Sequence, residues 1–443
     1  MINQGDIDPA ALQPVTIPRS EHIISRANIS SSALKVLYRL KDAGYQSYLV
    51  GGGVRDLLLG REPKDFDVGT DARPEQIKDL FRNCRLIGRR FRLAHVRFGR
   101  EVIEVATFRA ASVAEATETV DVAHTEEGRI LRDNVFGTLE EDAWRRDFTV
   151  NALYYDIRDF SVVDYVGGLE DLKTGTLRLI GDPGQRYRED PVRMLRAVRF
   201  AAKLGFRIHR DSETPLQELG HLLGDIPAAR LFEEVTKLFL GGCAVTGFEL
   251  LRHYDLFRYL FPLTDEVLSH EEQGFPITFV ARALENTDTR LAEDKPVTPA
   301  FLYAALLWEP VRLRMQELQQ QGASGLEAAQ IAGNQVTSEQ QGFTSLPKRF
   351  SLPMREIWML QPRLERRRGR APYRMLEHPR FRAAYDFLLL RSEVGEAPKE
   401  LADWWTQFQA LNPDDRATLA DTGTPAKRRR RPRRRRSAAK SGG

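Results

Sequence analysis

Cysteine is nearly absent from this chain of 443 residues: only Cys84 and Cys243 occur, far apart in sequence. Two cysteines build neither a disulfide framework nor a four-cysteine zinc site, so both are expected as free thiols. Long apolar runs are also missing, and no stretch is long enough to span a bilayer. The first twenty residues are polar, carry Asp6 and Asp8, and lack a basic segment followed by an apolar one. They do not read as a signal peptide, and the expected compartment is the cytoplasm. Acidic residues are absent from Lys427–Gly443, which holds two lysines and eight arginines. The overall formal charge is +4, so this tail carries +10 and the rest of the chain −6. A concentrated basic run attracts polyanions by releasing their condensed counterions, which points to nucleic acid without specifying chemistry.

What is present suffices for packed cores, with 42% hydrophobic residues and a length that favours two or more domains. Residues 1–30 read as a loose arm. Ala33, Leu34, Val36, Leu37 and Leu40 recur at helical spacing. Ser47–Val50 reads as a strand entering a glycine turn, Asp65–Val68 as a second strand, and Pro74–Asn83 as a helix. Ala94–Phe98 and Glu101–Phe108 read as strands joined by a hairpin at Gly99-Arg100. Residues 110–142 are polar and aperiodic and are expected as a loop. After Asp190 helical patterns take over, with Met194, Leu195, Val198, Ala201 and Ala202 on one face. Residues 321–350, rich in Gln, Gly and Ser, are expected as loop. From about 412 the composition is too polar to fold alone.

The chemistry concentrates in LVGGGVRDLLLGREPKDFDV, residues 49–68. Side chains alternate along a strand, so Asp65 and Asp67 are expected to share one face while Phe66 points to the core. Two such carboxylates suit magnesium ions of the two-metal kind. Gly51 and Gly52 let the backbone approach phosphates closely. Arg55 is placed either to neutralise phosphate or to pair with Asp56. Separately, a Gly-Gly turn and an Asp-x-Asp pair are ordinary surface features; together, each behind a strand-like run, they are a specific signal.

This string resembles the head-domain signature of the polymerase-β-like nucleotidyltransferase superfamily, in the branch holding bacterial poly(A) polymerases and CCA-adding enzymes. RRDFTVNALYYD (145–156) and REDPVRMLRAVRFAAKLGF (188–206) extend the resemblance across roughly residues 30–260. It implies metal binding and catalysis by Asp65, Asp67 and Glu104, the last read otherwise as an edge-strand glutamate in water. It implies nucleotide contacts by Gly51, Gly52, Arg55, Arg145, Arg146 and Asn151. Asp147 belongs to the site as a catalytic residue, as a ribose acceptor, or as a cap of the segment after it. Asp190 and Arg193 match the base-reading Glu-Asp-x-x-Arg motif. Three apart on a helix, they can act together, but their bonding pattern suits adenine and cytosine alike. Asp190 before Pro191 also reads as a helix N-cap. Arg230, Glu233 and Glu234 resemble a motif that braces the nucleotide pocket.

Between poly(A) and CCA synthesis, LIGRRFRLAHVRFG (86–99) resembles the poly(A) branch, with Arg89, Arg90 and Arg92 as RNA-binding candidates. The tail resembles that branch too: Lys427, Arg428, Arg429, Arg430, Arg431, Arg433, Arg434, Arg435 and Arg436 bind phosphates without reading sequence. A charge run is otherwise a solvated surface. His95, inside a strand-like run, is expected to be packed and hydrogen-bonded.

The resemblance therefore implies an α+β nucleotidyltransferase head with a small mixed sheet, then all-α neck and body domains and a disordered basic tail. The expected divisions are an arm (1–30), head (31–180), neck (181–270), body that binds RNA (271–411) and tail (412–443). The implied activity is template-independent addition of AMP from ATP to RNA 3′ ends, with Mg2+ or Mn2+ as cofactor. RNA 3′ ends and the RNA-degradation machinery are the implied partners. A CCA-adding tRNA nucleotidyltransferase and a non-catalytic RNA-binding protein with a degenerate head are the alternatives.

Overall fold

The computed structural model describes residues 14–88, 92–110, 123–124, 130–132, 135–272, 275–276 and 278–421. The chain divides into two compact units. One comprises 1–270, 284–297 and 339–346, the other 271–283, 298–338 and 347–443.

The first unit is built on an eight-stranded mixed sheet. Its strands are β1 (Val15–Ile17), β2 (Ser47–Val50), β3 (Asp67–Thr70), β4 (Cys84–Ile87), β5 (Leu93–Phe98) and β6 (Glu101–Thr107). After a small ladder of β7 (Ala123–His124) with β8 (Ile130–Arg132) come β9 (Leu153–Asp156) and β10 (Val162–Asp164). The strand order is β1-β10-β9-β2-β3-β6-β5-β4. All pairings are antiparallel except β3 with β6, which run parallel with Asp67 opposite Glu104.

Helix α1 (Ser31–Asp42) starts where the Ser30 hydroxyl accepts from the Ala33 N–H at 3.1 Å. Its Ala33, Val36, Leu37 and Leu40 are buried with Leu49, Val68, Val96, Val105 and Tyr155 of the sheet. Helices α2 (Gly52–Leu58) and α3 (Pro74–Leu80) follow β2 and β3. The strand expected from Asp65 begins two residues later at Asp67, leaving Asp65 in the preceding loop. Gly69 permits this strand to pack, because a Cβ there would stand 2.9 Å from both Phe108 and Val50.

Helix α4 (Leu139–Trp144) begins inside the stretch expected as loop. A reciprocal cap starts it: Thr138 accepts from the Glu141 N–H, and the Glu141 carboxylate accepts from the Thr138 N–H at 2.7 Å. Then come α5 (Gly168–Thr174), α6 (Pro183–Glu189), α7 (Val192–Leu204), α8 (Arg210–Leu219), α9 (Ala228–Phe239), α10 (Ala244–His253), α11 (Phe257–Leu260) and α12 (Pro262–Leu268). In α7, Met194, Leu195, Val198 and Ala201 of the expected face are buried while Ala202 is only half-buried, and Gly205 at φ 72° ends the helix.

The second unit is helical. After α13 (Phe279–Ala292), whose end belongs to the first unit, come α14 (Pro299–Leu306), α15 (Trp308–Gln320), α16 (Gly325–Gln340), α17 (Lys348–Leu364), α18 (Ala371–Leu376), α19 (Phe381–Glu393), α20 (Lys399–Ala410) and α21 (Pro413–Asp421). Three buried indoles each donate a hydrogen bond: Trp308 to Glu396, Trp358 to the Ala304 carbonyl and Trp405 to the Leu364 carbonyl. Helix α16 runs through the segment expected as loop. Its polar composition hides a buried stripe of small residues, Ala328, Ala329, Ala332 and Val336. A Cβ on Gly333 would stand 3.2 Å from the Trp358 ring. Among the described residues no helix is long and apolar enough to cross a membrane, and both cysteines are free.

Candidate active site

The ends of β2 and β3, the turn before β9 and the polar face of α7 enclose a cleft of about 1010 Å³ in the first unit. Gly51, Gly52, Arg55, Asp65, Asp67, Arg146, Asp147 and Asn151 line it, as do Arg196, Arg199, Phe200, Lys203 and Lys237. Eight of the lining side chains are cationic and five acidic.

Gly51 is the hinge between β2 and α2. Its φ of 71° is a conformation that side chains resist, and a Cβ there would stand 3.3 Å from Arg146 Nη1. Arg55 is buried. Its guanidinium donates to Asp56 Oδ1 at 2.7 and 2.8 Å and to Asn151 Oδ1 at 2.6 Å. Of its two possible roles, pairing with Asp56 is the one the fold adopts.

Asp65 and Asp67 both face the cleft, and Phe66 packs against the core. The Asp67 carboxyl is pushed up to about 6 by burial and by the charges of Glu104 and Asp65, against the opposing pull of Arg146. Glu104 sits beside Asp67 through the β3–β6 register but is not part of the cleft lining. Its Oε1 is 3.2 Å from His95 Nε2, off the line of a hydrogen bond. His95 is thus packed in the sheet opposite Glu104. Among the described residues no three carboxylate, imidazole or thiol groups converge closely enough to hold a metal.

Arg146 is locked in place. Its guanidinium donates to Asp142 Oδ2 at 2.9 Å, to the Tyr154 hydroxyl at 2.9 Å and to the Asn151 carbonyl at 3.3 Å. Asp147 has both oxygens engaged. Oδ1 accepts from the Phe148 N–H at 2.8 Å and from the Asn151 amide at 3.3 Å, and Oδ2 accepts from Arg196 Nε at 2.7 Å. Burial alone would raise its carboxyl, but Arg196 and these hydrogen bonds outweigh burial and hold it at about 2. Arg196 and its neighbour Arg199 had no role in the sequence motifs. The available signal was the spacing of Arg196, Arg199 and Lys203 opposite the apolar face of α7.

The base-reading pair is not brought together. Asp190 Oδ2 accepts from Arg230 at 2.7 Å, while its Oδ1 is buried without a hydrogen-bond partner. Asp190 makes no side-chain cap, and Pro191 occupies the N-cap position of α7. Arg193 donates to Glu189 at 3.0 Å and to the Arg186 carbonyl at 2.7 Å. Arg186, also missed in the sequence, donates to the carbonyls of Arg145 and Arg146 at 2.8 and 2.6 Å. Arg145 is pulled down to about 9 by burial and by the crowding of Arg109, Arg186, Arg146 and Arg193. Such a concentration of guanidinium groups around one turn favours an anionic ligand. Arg92 pairs with Glu75 at the surface, whereas Arg89, Arg90 and the tail from Lys427 to Arg436 lie outside the described residues.

Comparison with known proteins bears on the same elements. Residues 47–178 match the model of the poly A polymerase head domain, 205–268 that of a probable RNA- and SrmB-binding site of polymerase A, and 321–438 that of the polymerase A arginine-rich C-terminus. A poly(A) polymerase I of Escherichia coli O6:H1 is 51% identical over 418 residues, covering 93% of this chain and 90% of that protein. The chain belongs to the poly(A) polymerase I family. The bacterial poly(A) polymerase resemblance seen in the motifs is thereby borne out, and the chain is a polymerase enzyme of that class rather than a degenerate head. A CCA-adding enzyme of Lactobacillus helveticus is 38% identical over 218 residues, 49% of this chain and 52% of that one, a more distant relation. The fold is that of the nucleotidyltransferases. The crystal structure of the Bacillus stearothermophilus CCA-adding enzyme in complex with CTP matches with a TM-score of 0.57 and 24% identity, over 89% of this chain and 88% of that one. In this member of the poly(A) polymerase I family, the cleft described above is where the glycine turn, the carboxylate pair and Arg146 of the arginine-rich turn meet.

Proposed function

We propose that the cleft adds AMP from ATP to RNA 3′ ends and that this work is done in the cytoplasm, where tailing feeds RNA turnover. The observation that carries the reading is the meeting of Gly51, Gly52, Asp65, Asp67, Arg146 and Asp147 on one wall. The RNA 3′-oxygen forms a bond to the α-phosphorus of ATP, the bond from that phosphorus to the bridging oxygen breaks, and pyrophosphate leaves. The proton of the 3′-hydroxyl passes to solvent.

A divalent ion fits the donors present. Asp65 and Asp67 face one cleft, and the half-buried Asp67 carries a carboxyl raised by burial and by the charges of Glu104 and Asp65, a repulsion that a cation relieves. Asp65 and Asp67 would hold magnesium or manganese, with Glu104 alongside. The ion would supply neutralisation of the triphosphate and activation of the attacking hydroxyl. The chain's own residues do the positioning. The open backbone at Gly51 and Gly52 receives phosphate oxygens, and Arg146 adds a fixed cation aimed at the same point. Asp190 Oδ1, buried and unpaired, is suited to accept from the exocyclic amine of adenine, with Arg193 released from Glu189 to meet a ring nitrogen.

The deciding experiment supplies each of the four nucleotides in turn to a general RNA primer and to a tRNA lacking its terminal CCA, with and without magnesium. Long A tracts on both RNAs, only with the metal, are expected. Addition confined to CCA on the tRNA would overturn the reading. Arg193→Ala is expected to lower the preference for ATP over GTP and UTP in the same assay, and retained discrimination among the four nucleotides would remove Arg193 from base reading.

A further inference from the structure

We infer that the part of the cleft walled by Arg199, Lys203, Thr236 and Lys237 seats the last phosphodiesters of the RNA primer. This rests on the functional reading above, because it assigns the second substrate of that reaction. The cleft measures about 1010 Å³, the upper limit of the roughly 300–1,000 Å³ that encloses one drug-sized ligand. A single nucleotide on Gly51, Asp67 and Asp147 leaves the cations that α7 and α9 bring to the cleft unexplained.

That wall is cationic by construction. Helix α7 presents Arg196, Arg199 and Lys203 to the cleft. Arg196 is spent on Asp147, but the others are under-compensated. Arg199 and Lys237 share one carboxylate: Arg199 Nε is 3.4 Å from Glu234 Oε2, and Lys237 Nζ is 2.9 Å from Glu234 Oε1. The exposed Lys203 ammonium makes no ion pair or hydrogen bond among the described residues. Two positive charges are left over. The Thr236 hydroxyl, on the same wall, is buried with no hydrogen-bond partner. A buried hydroxyl without a partner carries a desolvation cost that an incoming phosphate oxygen would remove.

The chemistry selects a phosphate backbone rather than a base. Phe200 is the aromatic group of this wall, and guanidiniums crowd its ring: Arg199 at 4.4 Å, Arg55 at 5.3 Å and Arg196 at 5.3 Å. No open face remains for a base to stack upon. Ammonium and guanidinium contacts position a strand without reading its sequence, which is what an enzyme acting on many RNA ends needs. In-line displacement also requires the attacking strand to arrive opposite the departing pyrophosphate.

The test uses the full chain with Lys203→Ala, Lys237→Ala and the double variant, a ten-nucleotide oligoadenylate primer, and initial rates against each substrate with the other saturating. Both lysines are exposed, so folding is expected to be unaffected. The double variant is expected to raise KM for the primer about tenfold or more, the scale of losing charged hydrogen bonds. KM for ATP and kcat stay within about twofold. The slope of log affinity for primer against log salt becomes shallower by about 1.4, from ~0.7 per lost single-strand contact. Lysine-to-arginine replacements keep the primer KM near that of the parent. A raised KM for ATP with an unchanged primer KM would assign this wall to the triphosphate and overturn the inference, as would no change in either. Primer binding by fluorescence anisotropy without ATP separates the two levels. If the parent protein extends no RNA yet the double variant loses primer affinity, the functional reading fails and the primer seat stands.

Discussion

At the scale of single residues, the site is a balance of unlike charges held in a confined space. Asp67→Ala removes the carboxylate that most needs a cation beside it. A fall of about 10²–10³ in kcat is expected, the size seen when one preorganised electrostatic partner of a transition state is lost. Primer affinity should be retained, and nitrocellulose filter binding beside the extension assay checks both. Asp147 makes a different prediction. Its carboxyl sits at about 2 in the folded chain and near 3.9 when unfolded, so the unfolded state binds more protons between these values. Stability from this group is therefore complete above about pH 4 and is lost as pH falls towards 2. Arg196→Gln should abolish that acid-labile component and cost about 2–3 kcal/mol at neutral pH, below the 3–5 of a fully enclosed pair because Arg196 is partly exposed. Urea unfolding from pH 2.5 to 7 would read it, and a parallel pH profile for parent and variant would refute it.

Legibility also differs from residue to residue. Gly51, Asp65 and Asp67 were readable because their chemistry depends on local spacing. Glu104 was readable only through the resemblance, because its neighbour Asp67 is thirty-seven positions away and reaches it by parallel pairing. Arg186 and Arg196 carry no local signature. Their value comes from meeting Arg145, Arg146 and Asp147 some forty to fifty positions earlier.

At the scale of elements, strands and long apolar helices were found within a few residues of where periodicity put them. The misses have physical causes. Helix α4 is short and depends on the Thr138–Glu141 cap rather than on an apolar stripe. Helix α16 packs through alanines and a glycine, whose small side chains give weak periodicity. Strand β3 starts late because Asp67, not Asp65, is the first residue to pair with β2. In the second unit, the buried Glu309 of α15 lies beside Glu396, which is in the loop after α19. Glu309 accepts from Arg312 at 2.9 Å, and Glu396 accepts from Trp308 at 2.6 Å. Burial first, then the Glu396 charge, push Glu309 up to about 8. The folded unit thus holds a proton that the unfolded chain releases near 4.5, so stability falls as pH rises from about 4.5 to 8. Glu309→Gln should flatten this decline. Thermal unfolding at pH 5, 6.5 and 8 checks it, and equal slopes for the two proteins would refute it.

At the scale of the whole molecule, the charge of the chain is divided between an acidic body and the basic segment from Lys427. Removing Lys427–Gly443 is expected to weaken RNA binding and to flatten its salt dependence by about 0.7 for each arginine that meets a phosphate. KM for ATP should not move. An unchanged slope of log affinity against log salt would show that the tail does not touch RNA. The sequence made this asymmetry visible at once, because composition needs no fold to be read. It did not reveal the cleft's cationic wall, which exists only where α7 and α9 are brought together.

The sheet that carries Asp67 and Glu104 also has an exposed margin to protect. Its β10 margin is closed by three residues, Val15, Thr16 and Ile17, which pair with Val162, Val163 and Asp164 from the far end of the same domain. No group of the active site lies in β1. Trimming the amino terminus past Ile17 would therefore spare the chemistry while uncovering a ready template for intermolecular strand addition. A chain trimmed in this way is expected to lose solubility before it loses activity.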